Sequence, residues 1–459
     1  MSLFAALTVA VGGLDAQSRA LGNISDNIAN SQTVGFKRID TTFESLVTQS
    51  NLQVNDPGVV RAIPQYQNNI QGNLVQSQSA TSLAISGNGF FIVRAPQIDS
   101  SGTASFGAED FYTRRGDFKV DKSGFLVNAA GYLLTGFSVD SSTGSVDTSA
   151  TVPIAISAGT DNPVKTTEVS YAGNLPASAA LGDTFTPSTI QIFDALGTEH
   201  SLSLQWTRNS SSSPTNSWFL DITPTDATAV ADIQNYNGSP GSSVTAGSSI
   251  GTQRLMVEFG DGSTAPAGTI YRITDGSGDF FTTSTNTVGD PATVSFNLDF
   301  ASAGSQNVTL NIGKYAQTAG VTQYAAADIS VTSFEQNGIP QGSFRDLSID
   351  DAGFVALNYD NGRSRTLFQI PLVQFNSPNN LQRIDGGAYS RTLESGTPRR
   401  STAGSNGAGR LVSNTLEGSN VDIADEFTKM IQAQRVYSAN ARTITTTNSM
   451  LEEVINIVR

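Results

Sequence analysis

The sequence predicts a multidomain chain of mixed α and β class. N- and C-terminal coiled-coil-like helices are paired together, with mainly antiparallel β domains (sandwich or barrel-like) inserted between them. Three observations carry this expectation. Apolar residues recur at a seven-residue step at both ends of the chain. The middle alternates short apolar runs with Gly, Asn and Asp turn residues. Composition also shifts sharply between about residues 151 and 332. A length of 459 residues leaves room for several buried cores.

The first element is a helix within residues 1–30. Leu7, Leu14, Leu21 and Ile28 fall seven apart, and a second seam runs through Leu3, Ala10, Gln17 and Ile24. Gly12, Gly13 and Gly22 weaken it by about 1 kcal/mol each relative to Ala. The opening "MSLFAALTVAVGGLDAQSR" has an apolar segment of the kind found in secretory leaders. No cation precedes it, however, and the helical period runs on to Ile28, so the expectation is a retained helix rather than a cleaved leader.

The last element, within residues 415–459, has the stronger period. Ile423, Met430, Tyr437, Ile444, Leu451 and Val458 keep the seven-residue step, with Phe427, Gln434, Ala441, Asn448 and Ile455 as companions. Ser419 or Asn420 is placed to cap it, and Asp422, Asp425 and Glu426 crowd the first turn, where the helix dipole favours acids. No Gly or Pro follows Gly418, so the helix extends to about 55–60 Å. Its other faces are polar, which makes one narrow partner-seeking seam.

Burying a large seam side chain contributes about 1.5–3 kcal/mol, against an ordering cost of about 1–2 kcal/mol per residue. One isolated helix pair is therefore marginal, whereas many pairs packed side by side are not. The ends of a free chain are expected to be largely disordered and to order on assembly. Gln434 and Asn448 are polar seam residues and Ala441 is small, which suits contacts that slide.

Between the helices, residues 31–82 read as an extended or β linking region after "ANSQTVGFKR". Residues 83–150 and 333–390 share an echo. Val120-Asp121-x-x-Gly124-Phe125-Leu126 parallels Ile349-Asp350-x-x-Gly353-Phe354-Val355, so the two stretches read as one interrupted β domain. Residues 151–332 form the interruption. They are rich in Ser, Thr, Gly and Ala and carry 15 acidic against 5 basic side chains, a net of −10 within a total of −14. An acidic, polar, all-β insertion reads as an outer, solvent-facing domain. Residues 391–414 read as a flexible connection to the last helix.

Charge and composition exclude several classes of function. A net charge of −14 and a pI near 4.5 oppose binding to nucleic acid or anionic membranes. No run of 18 apolar residues is present, so membrane insertion by a helix is not expected. The absence of cysteine removes disulfides, thiolate catalysis and Cys-ligated metal.

No catalytic, cofactor or metal site stands out. His200, beside Glu199, reads as a surface residue, and "GNGFF" (Gly87 to Phe91) as a turn that lacks the third glycine of a dinucleotide loop. "DGSGD" (Asp275 to Asp279) and "FGDG" (Phe259 to Gly262) have some character of calcium loops without the distal bidentate Glu.

Ala29, Asn30, Thr33, Gly35, Phe36, Lys37 and Arg38, in a loop that follows a heptad helix, closely resemble the signature of the bacterial flagellar rod and hook axial proteins. "SNVDIADEFTKMIQAQRVYSANARTITTTNSMLEEVINI" is similar to that family's closing helix, and "TRRGDFKVDKSGFLVNAAGYLLTG" and "LEGSNVD" are similar to other family segments. The resemblance covers about half the chain and leaves out the acidic insertion. Rod members are shorter, so the insertion implies the subunit of the curved tube between rod and filament, a universal joint that transmits torque.

The resemblance further implies a helical homopolymer with the terminal helices on its inner wall. Expected partners are rod, hook-cap and hook–filament junction proteins and the flagellar type III export apparatus. The expected location is extracellular, at the basal body, without a cleaved leader. A distal-rod subunit, a secreted adhesin or carbohydrate-binding β protein, and a β-rich hydrolase remain open alternatives at this point.

Overall fold

The structure, a computed structural model, describes residues 3–50, 55–98, 104–140, 143–157, 159–186, 188–211, 214, 216–224, 232–233, 254–275, 287–300 and 303–457. The chain divides into two units. The first comprises Met1–Ala158, Arg345–Asn358 and Ser364–Arg459, and the second comprises Gly159–Phe344 with Tyr359–Arg363.

In the first unit, helix α1 (Leu3–Ala29) and helix α2 (Ile423–Ile457) pack antiparallel: Asn27 meets Glu426, and Gly13 faces Asn440. Asp422 caps α2, its Oδ1 accepting the amides of Ala424 and Asp425 at 2.9 and 3.3 Å. The cap is therefore two residues later than Asn420, because the Asn420 side chain is used elsewhere, as described below.

Strands β1 (Ile39–Ser50) and β2 (Asn55–Tyr66) pair antiparallel as a hairpin from Ile39↔Tyr66 to Ser50↔Asn55, with register shifts on either side of Val47. The hairpin lies against α1 at Gly12, where a Cβ would meet Val59 Cγ1. Of the three glycines that weaken α1 by propensity, Gly12 and Gly13 thus let β2 and α2 approach its backbone.

The body of this unit is a sheet in which early and late segments interleave. Ser364–Gln369, Leu133–Val139, Phe90–Ile98, Ala104–Thr113 and Ala388–Ser390 are successive neighbours. Phe90, Ile92, Tyr112, Val373, Phe375, Leu381 and Tyr389 form a core there, with Tyr112 and Phe375 edge to face at 4.8 Å.

The internal echo is one turn used twice. Asp121 Oδ1 accepts the amides of Ser123 and Phe125, and Asp350 Oδ1 accepts those of Ala352 and Phe354. Gly124 and Gly353 supply the left-handed residue at φ +86° and +87°. The stretch 391–414 differs from the expected flexible connection. Arg399–Thr402 pairs with Pro371–Gln374, and Arg410–Ser413 pairs with Leu83–Ser86. Its Gly and Ser residues serve tight turns between paired strands.

The second unit is a two-sheet β structure around one core. Among the described residues, one sheet is antiparallel, running Ser188–Phe193, Glu199–Arg208, Ser217–Pro224, Arg254–Phe259 and Ile270–Asp275. In the other, Glu168–Pro176 pairs parallel with Gly304–Lys314 and Val321–Tyr324 and antiparallel with Ser330–Gln336. Leu202, Leu204 and Trp206 alternate inward at period two and join Trp218, Phe296 and Tyr171 in the shared core. The fold class is thus mixed α and β, with two terminal helices and mostly antiparallel sheets between them.

His200 departs from the surface position expected of it. Its Nε2 lies 3.2 Å from Asp194 Oδ2, and its ring stacks on Phe300 at 3.9 Å, so it is part of the sheet packing.

Candidate functional site

The residues of the "ANSQTVGFKR" stretch form a compact turn that ends α1. Asn30 donates to Asp26 O and Oδ1 at 2.9 and 2.8 Å, and Thr33 Oγ1 donates to Asn30 Oδ1 at 3.2 Å. Ala29 is the last residue of α1. Gly35 adopts φ +69°, and a Cβ there would lie 2.8 Å from Arg115 N and 2.9 Å from the Arg114 carbonyl carbon. Only glycine fits this position without moving backbone. Phe36 is buried, with the Arg383 guanidinium 4.2 Å from its ring centre.

Lys37 is the hub of this region. Its Nζ donates to Glu417 Oε1 at 2.5 Å and to Ile70 O at 2.6 Å. Arg114 Nη1 reaches the other oxygen of the same carboxylate at 3.2 Å, and Gly72 N donates to Oε1 at 2.9 Å. Gly35 N adds a bond to the Glu417 carbonyl at 2.7 Å. The Lys37 and Glu417 side chains are 1% and 0% exposed. Burial pulls the Lys37 ammonium down to about 8, while Glu417 acts to raise it. One carboxylate therefore holds the α1 exit, the loop after β2, the β body and the strand that leads into α2.

A second polar knot lies one turn along. Asn27 Nδ2 donates to Ile39 O and to Glu426 Oε2, each at 2.9 Å, and its Oδ1 accepts Ile39 N at 2.8 Å. Lys429 bridges Glu426 and Asp40 at 2.7 and 3.1 Å. Arg38 Nε lies 3.4 Å from Asp40, and Arg38 N donates to Asn420 Oδ1 at 2.7 Å. Asn420 Nδ2 in turn donates to the carbonyls of Gln67 and Ile70.

On α2, the row facing α1 is Glu426, Ala433, Asn440 and Thr447, matched on α1 by Ala10, Gly13, Ala20 and Asn27. Of the seam residues read from the sequence, Ala10 and Ile24 are buried and Gln17 is half-buried. Leu7, Leu14, Leu21, Ile28, Met430, Ala441, Ile444 and Leu451 are half-buried. Ile423, Phe427, Gln434, Tyr437, Asn448 and Ile455 are exposed, Phe427 at 50% and Ile455 at 64%. Leu3 opens α1, and Val458 lies outside the described residues.

Sequence reasoning missed Glu417, Arg114 and Asn27 in these knots, and gave Glu426 and Asn420 only a place at the start of α2. Their partners stand up to 399 residues away, and no local spacing encodes them.

Asp261, in one candidate calcium loop, accepts two amides and two hydroxyls from Ser263 and Thr264, which hold its carboxyl well below the usual range. Its oxygen is committed to its own turn. The other loop extends past Asp275 beyond the described residues. Among the described residues, no group of three or more His, Asp or Glu side chains is gathered as metal ligands would be.

Comparisons with known proteins fall on the same segments. Residues 7–37 match the family Flagella basal body rod protein, and 412–457 match Flagellar basal body rod FlgEFG protein C-terminal. Residues 84–175 match Flagellar hook protein FlgE/F/G D1 domain, and 160–339 match Flagellar basal body protein FlaE D2 domain. Among similar proteins, Flagellar hook protein FlgE of Brucella suis biovar 1 is 30% identical, with 100% of each chain covered. That of Salmonella typhimurium is 27% identical, with 98% of each covered. The crystal structure of Helicobacter pylori flagellar hook protein FlgE2 aligns with TM-score 0.44 and 14% identity over 75% of this chain and 100% of that one.

Proposed function

Since the chain belongs to the flagellar hook protein FlgE family and is a structural subunit of the bacterial flagellar hook, we propose that the α1–α2 pair is the element through which copies polymerise. In this reading the pair lines the inner wall of a curved, flexible tube that serves as a universal joint between rod and filament. The observation that carries it is the set of large apolar side chains that α1 leaves uncovered on α2, among them Phe427, Ile431, Tyr437, Val454 and Ile455. Apolar surface of this extent on one helix, in a chain of a self-assembling family, is surface for a second copy.

The two polar knots fit the same reading. They fix the turn from inner helix to outer β body, so torque taken up by α1 and α2 passes into the body through Glu417, Lys37 and Arg114. Rod, hook-cap and hook–filament junction proteins are its neighbours, and the flagellar type III export apparatus delivers it. The acidic insertion, with its net charge of −10, keeps the tube soluble.

Polymerisation of the purified chain, followed by sedimentation and imaging, tests this. Phe427→Asp and Ile455→Asp each remove a contact and place a charge in it. Loss of tubes with a helix content unchanged from wild type is the expected result. Normal tube formation by both variants overturns the reading.

A further inference from the structure

The uncovered side chains of α2 do not lie on one face. At about 100° per residue, Phe427 and Ile431 stand roughly 100–140° to one side of the row Glu426, Ala433, Asn440 and Thr447, with Arg435 and Arg442 at roughly 200°. Lys429 and Val436 stand roughly 60° to the other side. The second flank is not a ridge. Together with Ala20 and Ile24 of α1 and Phe43 of β1, it walls a groove of about 610 Å³. Val436 and Phe43, at 45% and 44% exposed, leave its apolar lining open.

The two flanks are complementary in charge. Arg38 and Lys429 line the groove beside Asp40, Asp425 and Glu426, a net of −1. Within it Lys429 is shared by Asp40 and Glu426, and Arg38 is turned to Asp40. Among the described residues, Asp425 is exposed and has no cation within ion-pair distance. On the far flank, Arg435 and Arg442 are exposed and likewise have no described carboxylate within that distance. Over residues 425–442, the unpaired acid Asp425 is thus on the concave side and the unpaired cations Arg435 and Arg442 are on the convex side of the same helix.

We infer that the groove between α1, β1 and α2 receives the opposite flank of α2 from a second copy. Phe427 and Ile431 of the incoming helix fill the apolar lining, and Arg435 or Arg442 meets Asp425. This deepens the polymerisation reading above and rests on it. A contact between two different faces of one element is heterologous, and when it does not close it propagates as a helix. A same-face contact would stop at a dimer. The groove-and-ridge pair therefore supplies the head-to-tail geometry that a tube needs, and its ionic part fixes register more than it adds affinity.

The chain has no cysteine, which allows a clean test in the full-length protein. Ile431→Cys on the ridge, combined with Val436→Cys in the groove, is oxidised in assembled tubes. The two positions lie on opposite flanks of one helix and cannot pair within a chain. A ladder of covalent oligomers from the double variant, with no dimer from either single variant, is expected. Dimers from Ile431→Cys alone, or no ladder from the double variant in intact tubes, overturn the inference.

Charge exchange gives an independent arm. Asp425→Arg is expected to raise the critical concentration for polymerisation about tenfold, as is Arg435→Glu with Arg442→Glu. Joining all three substitutions in one chain returns it to within about threefold of wild type, a recovery that a merely misfolded helix does not give. No recovery, or no effect of Asp425→Arg, counts against the contact. Failure of the wild-type chain to assemble at any concentration would instead remove the polymerisation reading itself, so the two failures are distinguishable.

Discussion

Glu417 and Lys37 form a buried ion pair at 2.5 Å across 380 residues of sequence, with Arg114 on the second carboxylate oxygen. Two cations are held by one acid with almost no access to water, so the acid is the indispensable member. Removing one partner of such a pair leaves an uncompensated buried charge, at a cost of about 3–5 kcal/mol. Glu417→Gln is expected to lower the stability of the first unit by about that amount. The described helices lie in this unit, whereas Trp206 and Trp218 lie in the second. Denaturation should therefore show the helical circular-dichroism transition moving to lower urea while the tryptophan transition stays in place.

The same site makes stability depend on alkaline pH. Burial holds folded Lys37 at about 8, against 10.5 for the free side chain. Below pH 8 both states carry the proton, and the fold bears the cost of a buried ammonium. Between about 8 and 10.5 the unfolded chain binds more protons than the folded one, so stability rises with pH. Tyr389 acts in the opposite sense: burial raises its phenol to about 12, so above pH 10 the unfolded state ionises first and stability falls. The first unit should gain about 2 kcal/mol from pH 8 to 10 and then lose stability. Lys37→Met should abolish the rise and keep the fall, as read from urea midpoints across that range.

Two glycines in one region should respond with opposite sign. At Gly22 nothing lies within 4 Å of the place a Cβ would occupy, so Gly22→Ala adds helix propensity at no steric cost, worth up to about 1 kcal/mol. Gly35 has φ +69° and backbone of Arg114 and Arg115 in the way. Gly35→Ala must open the turn that presents Phe36 and Lys37, with a loss of more than about 2 kcal/mol. Thermal unfolding of the helical signal separates the two cases.

The sequence made the two helices and the β texture between them legible because both rest on local periods. The face on which the helices meet was not legible. Pattern reading gives weight to large apolar residues, whereas the row that α2 presents to α1 is Glu426, Ala433, Asn440 and Thr447, against Gly13 and Ala20. Close packing of two backbones selects small and hydrogen-bonding side chains, which carry no hydrophobic signal. Glu417 was illegible for a different reason. Its three partner segments are distant in sequence, and an isolated Glu before a helix looks like any surface acid. Asn420, read as a helix cap, instead ties Arg38 to the loop after β2.

The exposed apolar side chains of α2 also bear on order in the free chain. Only a narrow strip of α2 is covered by α1, while strands such as Phe90–Ile98 carry fully buried side chains at Phe91, Ile92 and Val93. Local opening follows the amount of surface buried. In the unpolymerised chain, amides of residues 427–455 should exchange at least tenfold faster than those of Phe90–Val93, and assembly should slow them to comparable rates. Equal protection in the free chain would show that α1 alone is enough to hold α2.

Flexibility of the tube, finally, should depend on what fills the exposed companion row. Gln434 and Asn448 lie on the same flank of α2 as Phe427, and Ala441 stands between them. A contact built from an amide, a methyl group and another amide has shallow wells: each can exchange one partner for another, or for water, at small cost as neighbouring subunits shift along the helix axis. Leucine at both positions would add about 1.5–3 kcal/mol of burial per site and confine each side chain to one fitted hollow. Tubes of Gln434→Leu, Asn448→Leu should therefore form at lower concentration and bend less, with a persistence length at least twice that of wild type in images of thermally fluctuating tubes. If concentration falls while persistence length stays the same, the row is a contact surface but not the element that slides.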